Sequence, residues 1–157
     1  MRKKHVGDVG EHWVLYRLVR QGYTAVLAPT NARSVDILAS DEHGRPVSIQ
    51  VKTKANAVGW RLTESAERVA DDRLFYCLVD LGRSGDMEPP EVYVVPSAVV
   101  AKTVREGHAR WLRGTKRSGE PRKDSAIRQI VREPWLEDYR ENWSLIAGAP
   151  APSRREA

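Results

Sequence analysis

The residues best suited to chemistry lie in two short segments rich in β-branched side chains, residues 34–39 and 47–54. The first segment contains Asp36, and the second contains Gln50 and Lys52. Side chains alternate along a strand, so Gln50 and Lys52 share one face and lie about 6.5–7 Å apart. The polar turn between the two segments predicts a hairpin. A carboxylate, an amide and an ammonium are therefore expected to meet at one place on a sheet.

These groups are suited to metal-assisted phosphodiester hydrolysis. Mg²⁺ prefers oxygen ligands and retains several waters, and oxygen atoms are supplied by Asp36, the amide of Gln50 and the backbone carbonyl of Val51. Lys52 can orient or deprotonate the attacking water, or neutralise charge that builds on a phosphate. Glu11 lies on the apolar stripe of the first predicted helix, where an unpaired carboxylate is costly. It is therefore a candidate fourth member of the site.

Each of these residues also has a purely structural interpretation. Asp36 fits a strand-end residue bonded to backbone, and Gln50, Lys52 and Lys54 fit the solvated face of an amphipathic strand. Glu11 fits an exposed acid in the first turn of a helix. Their occurrence in one order, on the expected elements, favours a shared site.

Apolar patterning predicts an α/β fold with a mixed sheet. Helical spacing of apolar residues predicts a first helix over residues 7–21. An almost continuous apolar run at 74–81 predicts a strand buried on both faces. The other predicted strands are 23–28, 34–39, 47–54 and 91–95, and the other predicted helical segments are 63–70, 98–112, 124–131 and 135–145.

The order of Glu11, Asp36 and Gln50-Val51-Lys52 resembles the PD-(D/E)XK nuclease superfamily, which includes restriction endonucleases, archaeal Holliday junction resolvases and some homing endonucleases. Asp36 matches the motif aspartate and Lys52 the motif lysine, while Gln50 occupies the (D/E) position. Glu11 matches the first-helix glutamate of the resolvase-like branch. The resemblance covers roughly residues 7–81.

This resemblance implies a restriction-endonuclease-like αβββαβ core, with a central mixed sheet flanked by helices, plus C-terminal helices. It also implies catalysis with Mg²⁺ or Mn²⁺, a DNA substrate that includes branched or single-stranded forms, and a homodimer in enzymes that cut both strands. The chain departs from the motif at two positions. Val35 replaces the proline, and Gln50 brings no negative charge to the metal site, which weakens the expected Mg²⁺ affinity.

Positive charge is concentrated at the two ends of the chain, which carries a net charge of +5. A segregated basic charge is compatible with a polyanionic partner. The loop 113–123 is expected to be flexible and is a candidate phosphate clamp, and Trp60, in an irregular segment, is a candidate for stacking on a base. The candidate nucleic-acid-binding residues are Arg33, Lys54, Arg113, Lys116, Arg117, Arg122 and Lys123.

A chain of 157 residues predicts one domain, residues 1–147, followed by a disordered tail at 148–157. The single cysteine, Cys77, lies in an apolar run and fits a small buried side chain. No apolar run approaches the length of a membrane span, and no apolar segment follows the basic N-terminus as in a secretory signal. These features predict a cytoplasmic protein.

Three functions are compatible with these observations. The first is a metal-dependent endonuclease that hydrolyses phosphodiester bonds in DNA. The second is a catalytically weak or inactive nucleic-acid-binding protein that retains the nuclease fold. The third is a protein-interaction module whose charge has no connection with nucleic acid.

Overall fold

The computed structural model describes residues 3–29, 35–83 and 88–148, with the side chains of the first two described residues left out. Within these ranges the chain forms three α-helices and seven strands. The helices are α1 (Lys3–Arg20), α2 (Ser97–Leu112) and α3 (Ser144–Ala147), and the strands are β1 (Thr24–Leu27), β2 (Ile37–Ser40), β3 (Pro46–Lys54), β4 (Gly59–Thr63), β5 (Leu74–Asp80), β6 (Glu91–Pro96) and β7 (Ile127–Val131).

A five-stranded mixed sheet lies at the centre of the fold, in the order β1-β2-β3-β5-β6. The β3 and β5 strands are parallel, and the other neighbours are antiparallel. Ile37 pairs with Ile49 across the β2–β3 hairpin, and Gln50 lies beside Tyr76 of β5. The predicted α/β class and mixed sheet are confirmed.

Side chains alternate along β3 and β5, so the hydrophobic core is divided between the two faces of the sheet. On one face α1 and α3 cover side chains such as Ile49 and Cys77. On the other face α2, β4 and β7 cover side chains such as Tyr76 and Leu78. Both faces of β5 are buried, as its apolar sequence predicts. Cys77 is fully buried, as predicted for a small apolar side chain.

Three predicted helical segments are wrong in whole or in part. The connection from β3 to β5, predicted to contain a helix at 63–70, is β4 followed by the 3₁₀ turn Glu64–Glu67. The segment 124–131 contains β7, which pairs with β4 in a separate two-stranded antiparallel sheet. The predicted helix 135–145 is the 3₁₀ turn Pro134–Tyr139 and the short α3. The two-stranded sheet therefore covers a face on which the αβββαβ pattern places a crossover helix.

None of the described helices combines the length and apolar character needed to cross a membrane. Residue 148 directly follows α3, and the rest of the predicted tail lies outside the described residues.

The first helix makes a very close approach to the central strand. Gly10 is buried, and a Cβ atom at this position would overlap the side-chain oxygen of Thr53 on β3. Only a glycine allows the backbone of α1 to lie this near to the strand without displacement. Because Glu11 is the next residue, the same contact determines how near its carboxylate lies to β3.

We expect Gly10→Ala to destabilise the protein by about 1–3 kcal/mol, because the added methyl group overpacks the α1–β3 interface. Gly7→Ala is the matched control, since a Cβ at Gly7 meets no atom within 4 Å. That substitution should stabilise the helix by about 0.5–1 kcal/mol. Urea unfolding of both variants measures the difference, and an equal effect of the two substitutions would contradict the proposed contact.

Candidate active site

The candidate site lies where β2 begins and β3 continues beyond it. The pairing of the two strands reaches Ile37 opposite Ile49, and the N–H of Asp36 donates to the carbonyl of Ile49 at 2.9 Å. Beyond this point β3 runs on to Lys54 with no residue of β2 beside it. Among the described residues no other strand lies beside this part of β3, so its open edge faces the Asp36 side chain.

The carboxylate of Asp36 takes the place of the missing strand partner. Its Oδ2 accepts the backbone N–H of Val51 at 2.7 Å and the side-chain amide of Gln50. Gln50 is 6% exposed, so the amide would be costly to bury without this bond. The carbonyl of Val51 points toward the same edge as its N–H, because both groups of a strand residue face one side. The predicted convergence of Asp36, Gln50 and Val51 is therefore present.

Glu11 approaches the same edge from α1. Partial burial raises the pKa of its carboxyl group, and the negative charge of Asp36 raises it further, with a smaller contribution from Asp8. The positive charge of Lys52 and that of His12 act in the opposite direction on this pKa. Asp36 and Lys52 thus both lie within electrostatic reach of Glu11.

Lys52 and Tyr76 complete the surroundings of Gln50 on the two parallel strands. Lys52 follows Gln50 on the same face of β3 and lies beside Leu78 in the register. Tyr76 is the register partner of Gln50, and burial together with the charge of Asp36 raises the pKa of its phenol. Tyr76 was missed in the sequence because it lies in an apolar run and has the pattern of a core residue.

The oxygen atoms at this edge are of the chemical types that a hard cation binds. Glu11 and Asp36 provide carboxylates, and Val51 provides a carbonyl, which are the groups that Mg²⁺ accepts. Burial and then the charge of Asp36 raise the pKa of Glu11, so the two acids repel each other, and a cation would relieve this repulsion. Gln50 presents its amide nitrogen to Asp36 as a hydrogen-bond donor, whereas the sequence predicted its oxygen as a ligand. Among the described residues, no three His, Cys, Asp or Glu side chains are grouped to hold a metal ion.

Lys54 and Trp60 have structural partners inside the fold. The Nζ atom of Lys54 forms an ion pair with Asp80, and both side chains are 11% exposed. It also lies 4.8 Å from the ring centre of Trp60, whose Nε1 donates to the carbonyl of Val79 at 2.8 Å. Trp60 is fully buried, so its predicted exposure for base stacking is wrong. Nucleic-acid binding by Lys54 stays a prediction, and Arg33 lies outside the described residues.

The basic loop 113–123 is a compact turn with its own hydrogen bonds, where the sequence predicted a flexible segment. Lys116 and Glu120 are joined by a backbone bond of 2.8 Å and a side-chain ion pair of 3.1 Å. Arg122 donates to the carbonyl of Trp111 at 2.9 Å and lies 5.0 Å from the centre of its ring. Four basic side chains of the loop are exposed to solvent, Arg113, Lys116, Arg117 and Lys123, and Lys116 is the one paired with Glu120.

Comparison with solved structures shows a similar fold in a bacterial homing endonuclease, I-Ssp6803I. The TM-score is 0.55, the sequence identity is 19%, and the match covers 94% of this chain and 94% of that chain. The chain therefore has a nuclease-like fold. No protein-family model matches the sequence, and no curated protein is significantly similar to it.

We expect Glu11→Gln to raise the melting temperature at pH 7 in the presence of a chelator. The pKa of Glu11 is raised above 4.5 in the folded state, so ionisation of this group costs stability as the pH rises through that pKa. Below the unfolded-state pKa both states are protonated, and the difference from the wild type should vanish near pH 4. Thermal melts at the two pH values measure this.

Glu42→Gln, at an exposed position in the β2–β3 turn, should change the melting temperature little at either pH. A melting temperature of Glu11→Gln below that of the wild type at pH 7 would contradict the crowding of the two acids.

Proposed function

We propose that the chain is a Mg²⁺- or Mn²⁺-dependent endonuclease of the PD-(D/E)XK type that hydrolyses phosphodiester bonds in DNA. The observation that carries the proposal is the convergence of Asp36, Gln50 and Val51 at the open edge of β3. Glu11 and Lys52 lie within electrostatic reach of this group. The similar fold of a homing endonuclease supports DNA as the substrate.

The two acids of the site, together with one backbone carbonyl, are suited to hold the metal ion. Asp36, Glu11 and the carbonyl of Val51 would be its protein ligands, with the amide of Gln50 as a neutral neighbour. When bound, the ion would supply Lewis-acid stabilisation of the phosphate and of a bound water. Gln50 holds the Asp36 carboxylate in place through its amide. It would therefore position a metal ligand without binding the metal itself.

Lys52 is the group in the site suited to act on the reacting atoms. Its ammonium can donate to the attacking water or to a non-bridging phosphate oxygen, where negative charge develops during hydrolysis. Burial and the charge of Asp36 raise the pKa of Glu11, and binding of a cation would favour its ionised form. The phenol of Tyr76 lies next to Gln50 and stays protonated, because its pKa is raised as well.

A non-catalytic nucleic-acid-binding role is the second candidate, and one observation favours it. Gln50 donates to Asp36 instead of presenting a second carboxylate, so the site holds fewer negative charges than the motif provides. In either case the exposed basic residues Arg113, Arg117 and Lys123 would contact phosphates of the DNA backbone. A DNA affinity that falls steeply with salt concentration is the expected signature.

We expect the wild-type protein to cleave plasmid, branched or single-stranded DNA in the presence of Mg²⁺ or Mn²⁺. Asp36→Ala and Lys52→Ala should each lower the cleavage rate by about 10²-fold or more, because each removes a group that acts on the reacting phosphate. Single-turnover cleavage of labelled DNA measures the rates.

Matched controls lie on the exposed surface outside the site. Asp72→Ala and Arg68→Ala remove a negative and a positive charge at exposed positions, as matches for Asp36→Ala and Lys52→Ala. Both should leave cleavage unchanged. Binding of DNA without cleavage by the wild type would favour the second candidate. Equal cleavage by all variants would identify a contaminating nuclease.

We expect Gln50→Glu to lower stability by about 2 kcal/mol without metal, since it exchanges a donor to Asp36 for a second buried acid. For a chain of this size, the loss corresponds to about 4–8 °C in Tm. Mg²⁺ should restore the Tm of Gln50→Glu, because the variant supplies another oxygen ligand with negative charge. Thermal melts with a chelator and with Mg²⁺ measure this.

Gln50→Leu is the control, because it removes the same bond to Asp36 without adding a ligand. Its Tm should fall by a similar amount, and Mg²⁺ should raise it less than the Tm of Gln50→Glu, because only the ligands Asp36, Glu11 and the Val51 carbonyl remain. If Mg²⁺ shifts the Tm of neither variant, the metal site at this edge is refuted.

A further inference from the structure

Tyr76 has a buried side chain whose hydroxyl group is not used by the fold. The residue lies within β5 and is 3% exposed. Within residues 3–29, 35–83 and 88–148, no group forms a hydrogen bond with this hydroxyl. A buried tyrosine usually finds a partner for its hydroxyl, because leaving the group unbonded costs free energy. Phenylalanine would therefore serve the packing of β5 at least as well.

The hydroxyl of Tyr76 is nevertheless open to solvent. In the part of the chain that the structure describes, the enclosed side-chain atoms without a partner are the Nε1 of Trp13 and the Oγ1 of Thr53. The Tyr76 hydroxyl is not enclosed in this way, although the core on the α2 side of the sheet covers the ring. An otherwise buried side chain thus presents a hydrogen-bond donor at the surface.

The phenol of Tyr76 lies beside the candidate active site. Tyr76 is the register partner of Gln50, whose amide donates to Asp36. Burial and then the charge of Asp36 raise the pKa of the phenol, so this group lies within electrostatic reach of Asp36. The raised pKa keeps the proton on the hydroxyl near neutral pH, where it acts as a donor.

Two donors can therefore reach a phosphate that is held at this edge of the sheet. Lys52 follows Gln50 on the same face of β3, and Tyr76 lies beside Gln50 on the neighbouring strand, about 4.8 Å away. Gln50, between them, uses its amide to hold Asp36. Negative charge on the non-bridging oxygens of a phosphate increases during hydrolysis. A donor that is fixed by packing stabilises this charge without having to reorganise.

We propose that the hydroxyl of Tyr76 donates a hydrogen bond to a non-bridging oxygen of the DNA phosphate that is cleaved. Tyr76 is then a catalytic residue together with Lys52, and this role rests on the nuclease activity proposed above. It explains why a buried tyrosine presents an unbonded hydroxyl beside Gln50. Lys52 neutralises charge with a mobile ammonium, whereas Tyr76 offers a neutral donor whose position is set by β5.

Tyr76→Phe removes only the hydroxyl and should lower the single-turnover cleavage rate by about 10–100-fold, the loss expected for a hydrogen bond to a charged oxygen. Its Tm should equal or slightly exceed that of the wild type, because no bond within the protein is lost. Tyr93→Phe is the matched control, since this buried tyrosine on β6 accepts a hydrogen bond from Arg132. That variant should lower the Tm by about 2–4 °C and leave the cleavage rate unchanged.

DNA with sulfur in place of one non-bridging oxygen at the cleaved phosphate separates direct contact from an indirect effect. Sulfur accepts a weaker hydrogen bond than oxygen. Tyr76→Phe should therefore lower the rate less on the isomer whose sulfur takes the contacted position than on the natural phosphate or the other isomer.

Equal rate losses on all three substrates overturn the role of Tyr76, as does a wild-type rate of Tyr76→Phe or a fall in its rate that is matched by a fall in its Tm. In each case the nuclease activity itself would still be supported if Asp36→Ala and Lys52→Ala abolish cleavage. A wild type that cleaves no DNA overturns both the activity and the role of Tyr76.

Discussion

The hydrogen bonds accepted by the Asp36 carboxylate are the interaction on which the candidate site depends. The β2 strand begins at Ile37, while β3 continues to Lys54, so the backbone of β3 would present an unsatisfied N–H at Val51. Asp36 satisfies this group and the amide of Gln50 with one oxygen atom. The acid is thereby held at the edge of the sheet, and its carboxylate retains further acceptor capacity.

The packing of α1 brings a second acid to the same place. Gly10 permits the backbone of α1 to lie against Thr53 on β3, and Glu11 follows directly. A charged carboxylate at this place is unfavourable, because burial and the nearby charge of Asp36 both raise the pKa of Glu11. Folding energy thus holds two like charges together. Lys52 offsets part of the repulsion, and a cation would offset more. Gln50 donates a hydrogen bond to Asp36, whereas an acid at position 50 would add further repulsion.

The face of the central sheet that α2, β4 and β7 cover has a different role in the fold. Where a crossover helix was predicted between β3 and β5, the chain uses β4, whose partner β7 lies more than sixty residues later along the sequence. The alternation of buried Trp60 and Leu62 in β4 matches that of Arg128 and Ile130 in β7. Neither strand is recognisable alone, because each is short and gains its burial from the other. Buried Arg128 is compatible with this face because it forms an ion pair with Glu67.

The sequence by itself determined the elements whose signals are local: the first helix, the β2–β3 hairpin, the apolar β5 strand and the order of Glu11, Asp36, Gln50 and Lys52. Periodicity and turn composition act over a few residues, so they are readable without a structure. Tertiary structure alone decided which groups face each other. The amide of Gln50 donates to Asp36, and Lys54 is neutralised by Asp80. These contacts join residues on different strands, and their geometry follows from register and from where β2 begins, which no local pattern encodes.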